Sequence, residues 1–143
     1  MQLIRLAYIS TAVQPFTPHD AEWVAGQALP WFRENEVTGM LLYANDTFLH
    51  ILEGRRTRLH ELLEIIKLSD KHIWYERIFE AEIAARMFQD WSMGTCDFTK
   101  HQGAIREEFR AVHLFLEACD TYDPDAVTRG LIRRFETQIR IPA

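Results

Sequence analysis

Cysteine is scarce in this chain of 143 residues, which has only Cys96 and Cys119. Two cysteines cannot build the disulfide framework of a small secreted domain, so we expect a reducing, cytoplasmic compartment. Glycine and proline are also few, at six and five residues, which excludes collagen-like and low-complexity chains. Basic residues are outnumbered, because 16 lysines and arginines against 21 aspartates and glutamates give a net charge of −5. Without an overall basic field, we expect the chain to bind neither nucleic acid nor a membrane surface.

The apolar start of the chain, MQLIRLAYIS, is too short and too interrupted for a signal peptide or a membrane span. What is abundant is typical of a folded domain: 48% of the residues are hydrophobic, 26% are charged and 12% are aromatic. The length fits one domain.

Hydrophobic periodicity predicts the elements of the first half of the chain. The stretch LIRLAYIS has the content of a buried strand, which is predicted to run roughly from Gln2 to Ile9. A helix is predicted to begin at Thr17–Pro18, and Pro30 is expected to kink it or to end it early. Two apolar runs within residues 37–53, joined at Asn45–Asp46, predict a β-hairpin.

A second amphipathic helix is predicted next, ending near Ser69–Asp70. Residues 73–84 and 91–98 then read as two strands. The order β-α-β-β-α-β with an extra strand is that of a ferredoxin-like α+β fold, with two helices on one face of the sheet.

Two further helices are predicted in the last third of the chain, the second starting at Asp123–Pro124. Their apolar stripes consist of Ile105, Phe109, Val112, Leu116 and Cys119, and of Val127, Leu131 and Phe135. We expect this helical pair to pack on the open face of the sheet or to lie between subunits. Its apolar surface exceeds what one sheet face requires, so we also expect a homo-oligomer.

Four short stretches of the chain form a set. They are LIRLAYIS with Tyr8 and Ser10, the hairpin VTGMLLY…TFLHILEG, SDKH with Asp70 and His72, and ARMFQDWSMG with Trp91 and Met93. Together they resemble the BLUF family, the sensors of blue light using FAD, in order and in spacing. The resemblance implies a BLUF-like flavin-binding domain over residues 1–98, with residues 99–143 as a helical extension of the same domain.

The resemblance also implies which residues contact the flavin, which in the family lies between the two helices. In such proteins a tyrosine gives an electron and a proton to the excited flavin, and a neighbouring glutamine rearranges its hydrogen bonds. Tyr8 matches the tyrosine, and Ser10 matches a small polar neighbour. Trp91 and Met93 match a mobile pair near the ring. Asp70 and His72 belong to the matching block at the end of the second helix.

Two positions depart from the family pattern: His50 stands where the glutamine is expected, and Phe32 where an asparagine is expected. Asn35 lies one helical turn further on. An amide carries its donor and acceptor side by side, whereas a neutral imidazole carries them on opposite edges of the ring, so the imidazole cannot exchange them by the same motion. An imidazole, with an ordinary pKa of about 6.5, is also a proton acceptor near neutral pH. Phe32 can stack beside a flavin or fill its place, and the sequence leaves both open.

Other motifs give no catalytic or metal chemistry. His60 begins a stretch like a zinc-protease helix, but the second histidine is missing at the required spacing. No glycine-rich phosphate loop and no nucleophile with its base is found, so we do not expect an enzyme. Arg55, Arg56 and Arg58 cluster at the start of the second helix, as solvated surface or as a site for a phosphate or an acidic partner.

Two functions follow from these patterns. The first is a flavin-binding blue-light sensor that signals to a downstream protein partner through its C-terminal helices. The second is a BLUF-derived interaction module whose photochemistry is altered or lost, either with or without the flavin; His50 and Phe32 favour it. The absorption of the purified protein distinguishes the two, because flavin bands that shift to the red under blue light support the first and a colourless protein excludes it.

Overall fold

The structure is a computed structural model, and it describes residues 2–12, 18–44, 47–67, 72–89, 92–96, 102–119 and 121–139. Its elements in chain order are β1 (Leu3–Ala12), α1 (Pro18–Glu34), β2 (Thr38–Ala44), β3 (Thr47–Arg55), α2 (Arg56–Lys67), β4 (His72–Ile83), β5 (Ser92–Cys96), α3 (Gln102–Glu117) and α4 (Pro124–Ile139). The predicted α+β class, the ferredoxin-like core, the extra strand and the two C-terminal helices are all confirmed.

The five strands form one sheet in the order β4-β1-β3-β2-β5. Strand β1 is antiparallel to both β3 and β4, and β3 is antiparallel to β2. The extra strand, β5, runs parallel to β2 at the edge of the sheet. Strands β1 and β3 are thus central, so side chains on both of their faces are buried.

Apolar cores lie on opposite faces of the sheet. The core under α1 and α2 consists of Ile4, Leu6, Tyr8, Phe32, Val37, Leu52, Leu59 and Leu63. The core under α3 and α4 joins Ala7, Ile9 and Ile51 of the sheet to Leu116, Leu131 and Phe135 of those helices. Because successive strand residues point to opposite faces, β1 contributes its even positions to the first core and its odd positions to the second. The expected packing of the C-terminal helices on the open face is confirmed.

The early end expected for α1 at Pro30 is wrong, because the helix continues to Glu34. A proline inside a helix removes the bond to the carbonyl four residues earlier, which here belongs to Gly26. Both Gly26 and Pro30 are exposed, so solvent can satisfy that carbonyl and the helix tolerates the proline.

The end of α1 is fixed by a two-bond cap. The Val37 amide donates to the Phe32 carbonyl at 2.8 Å, and the Glu36 amide donates to the Arg33 carbonyl at 3.3 Å. This pattern requires one residue in the left-handed backbone conformation, and that residue is usually glycine. Here Glu36 adopts the conformation, with φ of 56°. The cap fixes where the last turn of α1 meets the sheet.

The predicted start of α4 at Asp123–Pro124 is confirmed. The Asp123 carboxylate accepts the Asp125 amide at 3.0 Å, and the Asp123 carbonyl accepts the Val127 amide at 3.0 Å. The predicted boundaries at Thr17, Asn45–Asp46 and Ser69–Asp70 lie outside the described residues. Within the part of the chain that the structure describes, no helix is long and apolar enough to cross a membrane.

Candidate functional site

Tyr8 and His50 form a buried polar pair in the middle of the sheet. They are direct partners in the pairing of β1 with β3, and 4% and 7% of their surfaces are exposed. The Tyr8 hydroxyl lies 2.8 Å from Nδ1 of His50, and the two rings meet edge to face with centroids 5.3 Å apart. The hydroxyl donates when Nδ1 is unprotonated and accepts when Nδ1 carries the proton. The direction of this hydrogen bond therefore depends on the imidazole tautomer.

Phe32 covers the imidazole from the last turn of α1. Its ring is nearly parallel to that of His50, at 11° and a centroid distance of 6.5 Å, and it is only 3% exposed. Trp31 contacts its edge with centroids 5.9 Å apart. The position where the family pattern has an asparagine is thus occupied by an apolar ring packed on His50.

Asn35 does not replace the missing asparagine. Its side-chain amide donates to the Trp31 carbonyl at 2.9 Å, and its backbone amide donates to the same oxygen at 2.9 Å. Both groups close the end of α1, so this amide is used for the helix and not turned toward His50.

Ser10 lies two residues after Tyr8 on the same face of β1, and it is fully buried. Its hydroxyl has no hydrogen-bond partner among the residues that the structure describes. A buried hydroxyl without a partner costs free energy, so a bound polar ligand at this face would be stabilised by it.

The other residues predicted for the site are placed only in part. His72 begins β4, where its backbone pairs with that of Ala12, and Met93 pairs with Leu41 across β2 and β5. Leu41 is in turn the β2 partner of His50, so Met93 belongs to the same row across the sheet. Asp70 and Trp91 lie outside the described residues.

Sequence reasoning missed a second buried pair, formed by Arg5 and Glu53 on the face under α4. Both side chains are fully buried, and Nε and Nη2 of Arg5 each lie 2.9 Å from the same carboxylate oxygen. Nη1 of Arg5 reaches the carboxylate of Asp125 at 2.7 Å and the hydroxyl of Thr128 at 3.2 Å on α4. The signal in the sequence was one charged residue inside an apolar stretch of each strand, Arg5 in LIRLA and Glu53 in ILEG.

Glu53 also holds the segment that leads from β4 toward β5. Its carboxylate oxygens accept the backbone amides of Met87 at 2.8 Å and Phe88 at 2.7 Å. Arg86 donates to the Glu53 carbonyl at 3.1 Å and to the Glu36 carbonyl at 2.6 Å. The segment 86–88 is therefore tied to β3 and to the end of α1.

The basic cluster at the start of α2 is engaged in surface ion pairs. Arg55 lies 3.6 Å from Glu36, and Arg58 lies 3.2 Å from Glu61. Arg56 lies 3.4 Å from Glu80. Exposed pairs of this kind contribute little to stability. No group of three metal-ligating side chains occurs among the described residues.

One tyrosine near α4 has a shifted acidity. Burial, and then the negative charge of Glu80, raise the pKa of Tyr122 above its ordinary value. Tyr122 donates to the Glu80 carbonyl at 3.4 Å on the α4 side of the sheet, away from the Tyr8–His50 pair. The residue therefore stays protonated at neutral pH and belongs to the packing of the C-terminal helices.

Comparison with known proteins identifies the family to which this chain belongs. Residues 3–94 match the BLUF family, described as sensors of blue-light using FAD. The solved BLUF domain of BlrP1 superposes with a TM-score of 0.64 at 23% identity, over 97% of this chain and 90% of that one. A bacterial light-regulated adenylyl cyclase superposes with a TM-score of 0.62 at 24% identity, over 81% of this chain and 36% of that one.

The chain belongs to the BLUF family of FAD-using blue-light sensors. Over 133 residues it is 26% identical to the photoactivated adenylate cyclase subunit alpha of Euglena gracilis. That match covers 91% of this chain but 13% of the Euglena protein, so this chain spans a small part of that relative.

The residues of the site offer hydrogen bonds to a flavin at one edge and not at the other. The Tyr8–His50 pair and the buried Ser10 hydroxyl offer polar groups on one sheet face. At the other edge, Phe32 supplies no hydrogen bond, and the Asn35 amide is already engaged. Recognition of the ring here would rely on Tyr8, Ser10 and His50.

Proposed function

We propose that this chain is a flavin-binding blue-light sensor whose light-responsive hydrogen bond joins Tyr8 and His50. The observation that carries the proposal is the buried 2.8 Å contact between the Tyr8 hydroxyl and Nδ1 of His50. It lies at the positions that match the family's tyrosine and glutamine. Ser10, Phe32, Asp70, His72, Trp91 and Met93 complete the proposed flavin site. When bound, FAD absorbs blue light and becomes an electron acceptor.

The tyrosine supplies an electron and a proton. Loss of an electron makes a phenol hydroxyl strongly acidic, and Nδ1 of His50 lies within hydrogen-bond distance to take the proton. The O–H bond of Tyr8 then breaks while an N–H bond forms at Nδ1, with the other ring nitrogen already protonated. The proposed step therefore requires that His50 carry its ring proton on Nε2 in the dark.

Histidine gives this step a different product from the family's glutamine. An amide that exchanges its donor and acceptor stays neutral, whereas an imidazole that gains a proton at Nδ1 becomes a cation. A cation in this buried site is costly, so the proton would return to Tyr8 together with the electron that the flavin had accepted. We therefore expect a fast recovery in the dark.

A second candidate function is an interaction module of BLUF origin that no longer holds FAD. The observation that favours it is the burial of Phe32 against His50, because a ring packed there occupies space beside the proposed flavin edge. The two candidates differ in one property, namely whether the folded protein binds FAD.

Titration of the flavin-free protein with FAD, followed by quenching of flavin fluorescence, tests the proposal. We expect saturable binding at one FAD per chain. The matched variant Ser10→Ala removes the buried hydroxyl, and we expect it to bind several-fold more weakly. A parent protein that gives no quenching at micromolar FAD would overturn the proposed sensor and leave the interaction module.

We further propose that residues 1–98 sense light and that residues 99–143 pass the signal to a separate protein partner. The packing of α3 and α4 on the central sheet supports this division. The Euglena relative and the bacterial structure are cyclases by name, so the partner of this chain is proposed to be a signalling protein. We assign the chain itself no catalytic activity. The free thiol of Cys119 supports a reducing, cytoplasmic location.

Self-association through α3 and α4 is part of this proposal, with a second copy of the chain as the occupant. A groove of about 530 Å³ between these helices includes three small residues in its lining, Ala111, Ala126 and Gly130. Phe115 also lines the groove and is 67% exposed. In a two-fold contact each copy places its Phe115 in the groove of the other.

Light scattering of Phe115→Glu tests the dimer. We expect the parent to have the mass of two chains at micromolar concentration and the variant to have the mass of one. The control Ile65→Glu changes an equally exposed apolar residue on α2 and should stay dimeric. A monomeric parent, or a dimeric Phe115→Glu, would contradict the proposed interface, and the second result would direct attention to another surface.

A further inference from the structure

Two buried pairs bridge the same two strands on opposite faces of the sheet. Tyr8 pairs with His50, and three residues away along both strands Arg5 pairs with Glu53. An odd spacing in a strand turns the side chains to opposite faces. The Tyr8–His50 pair therefore lies under α1, and the Arg5–Glu53 pair lies on the face that α4 covers.

The Arg5–Glu53 pair connects the central strands to the segment that leads to β5 and to α4. One carboxylate oxygen of Glu53 accepts Arg5 and the Met87 amide, and the other accepts the Phe88 amide. The far side of the guanidinium reaches Asp125 and Thr128 in the first turns of α4. One ion pair thus fixes the segment that leads to β5 and the start of the last helix.

Stability alone does not account for a charged pair at this place. Taking two charges out of water is costly, and an apolar pair of similar volume usually holds a core as well or better. An apolar pair cannot fix two backbone amides and a helix turn in one geometry, because only hydrogen bonds are directional enough to do so. The pair therefore provides positional control that apolar packing lacks.

We propose that Glu53 is a positioning residue that couples the Tyr8–His50 pair to the segment 86–88 and to α4. This inference rests on the proposed function of the Tyr8–His50 pair. A change in the bond between Tyr8 and His50 shifts β1 against β3. Because Arg5 and Glu53 span the same two strands, the shift changes their geometry, and Asp125 and Thr128 carry it into α4.

Two variants separate positioning from support of the fold. Glu53→Gln keeps the shape, but its amide nitrogen now faces a donor, either that of Phe88 or those of Arg5 and Met87. The double variant Arg5→Met with Glu53→Met replaces the ion pair by apolar packing and leaves no buried charge unpaired, so we expect it to fold even if Glu53→Gln does not. Glu82→Gln, at an exposed carboxylate of β4, is the matched control.

The first measurement needs no flavin. His50→Gln perturbs the Tyr8 bond, and the readouts are the amide chemical shifts of Met87 and Phe88 and the hydrogen exchange of α4. We expect His50→Gln to change both readouts in the parent and in Glu82→Gln. When His50→Gln is added to Glu53→Gln or to the double variant, we expect neither readout to change. A response that persists in the folded double variant would overturn the positioning role.

Illumination of the FAD-loaded protein provides the second measurement. In the parent we expect light to shift the flavin absorption and to change hydrogen exchange in α4. In the folded Glu53 variants the absorption shift should remain while the change in α4 is lost. An unchanged light response of α4 in these variants would contradict the proposal. If the parent shows no absorption shift, the proposed function fails, and the flavin-free measurement still decides the role of Glu53.

Discussion

The hydroxyl of Tyr8 lies 2.8 Å from Nδ1 of His50, inside the pairing of the two central strands. Both residues are almost fully buried, and the ring of Phe32 stacks on the imidazole. A hydrogen bond in such a buried, low-dielectric place is electrostatically stronger than in water, so a change at one residue is felt by the other. The site thus depends on what an imidazole can do where the family pattern has an amide.

His50→Gln should strengthen and prolong the light-induced red shift of bound flavin, because an amide can exchange its donor and acceptor in place. The Tyr8 hydroxyl keeps a partner, so we expect a change of about 1 kcal/mol or less in the free energy of unfolding. Light-minus-dark absorption spectra measure the effect. His60→Gln, at an exposed histidine of α2 that bonds to Glu80, is the control and should match the parent. If His50→Gln also matches the parent, the histidine at position 50 is not the departure from the family pattern that limits the red shift.

Phe32→Asn should be less stable than the parent without FAD but bind FAD more tightly. The loss of buried apolar surface and the cavity left behind cost about 2–4 kcal/mol. The new amide supplies donors and an acceptor to the ring edge, so added FAD should raise the melting temperature of the variant more than that of the parent. Thermal unfolding with and without FAD measures both effects.

Phe32→Leu is the control for that comparison, since it shortens the side chain without adding an amide. We expect its FAD-induced rise in melting temperature to be smaller than that of Phe32→Asn. An equal or larger rise in the parent would mean that Phe32 already accommodates the flavin, and the idea of a filled position would be dropped.

Gly39→Ala should destabilise the fold by more than about 2 kcal/mol. A Cβ at this position would overlap the carbonyl oxygen of Ile51 and lie 3.2 Å from Cα of Leu52, so β2 and β3 would have to move apart. Denaturant unfolding measures the loss. Gly26→Ala is the matched control: it lies in α1 with open space around it, and it should stabilise by about 0.5–1 kcal/mol. Equal stability of Gly39→Ala and the parent would show that the strands adjust freely.

Glu36→Gly should stabilise the protein by about 1 kcal/mol, because glycine takes the left-handed conformation at φ of 56° without steric cost. The ion pair lost with Arg55 is exposed and contributes little. Chemical unfolding curves of the variant and the parent give the difference. Glu64→Gly, at an exposed position inside α2, should instead destabilise by about 1 kcal/mol. A loss of stability in both variants would show that the side chain of Glu36 matters more than its backbone.

Patterns within short stretches of sequence predicted the helices and strands. Features that depend on the pairing of distant residues could not be predicted in this way. Apolar runs with the content of buried strands identified β1 and the hairpin, and helical stripes identified α3 and α4, because each pattern lies within one element. The early end at Pro30 was wrong because the exposure of Gly26 could not be known from the sequence. The extra strand was predicted, but its parallel place beside β2 depends on a crossover that no local pattern encodes.

The same limit applies to the site. Tyr8, His50 and Phe32 were selected by resemblance, and the structure brings these three together. Arg5 and Glu53 are 48 residues apart, and Asp125, the second carboxylate partner of Arg5, is 120 residues from it. Single charges in apolar strands were visible in the sequence, but their pairing follows from the register of β1 against β3.

The central claim is that light acts through the hydrogen bond between Tyr8 and His50. The light-minus-dark absorption spectrum of the FAD-loaded protein, recorded beside that of Tyr8→Phe, tests it most directly. The account predicts a reversible red shift of the flavin bands in the parent and none in Tyr8→Phe, which lacks the hydroxyl but keeps the ring. A parent that gives no light-minus-dark difference, or a Tyr8→Phe variant that gives the same red shift as the parent, would contradict the account.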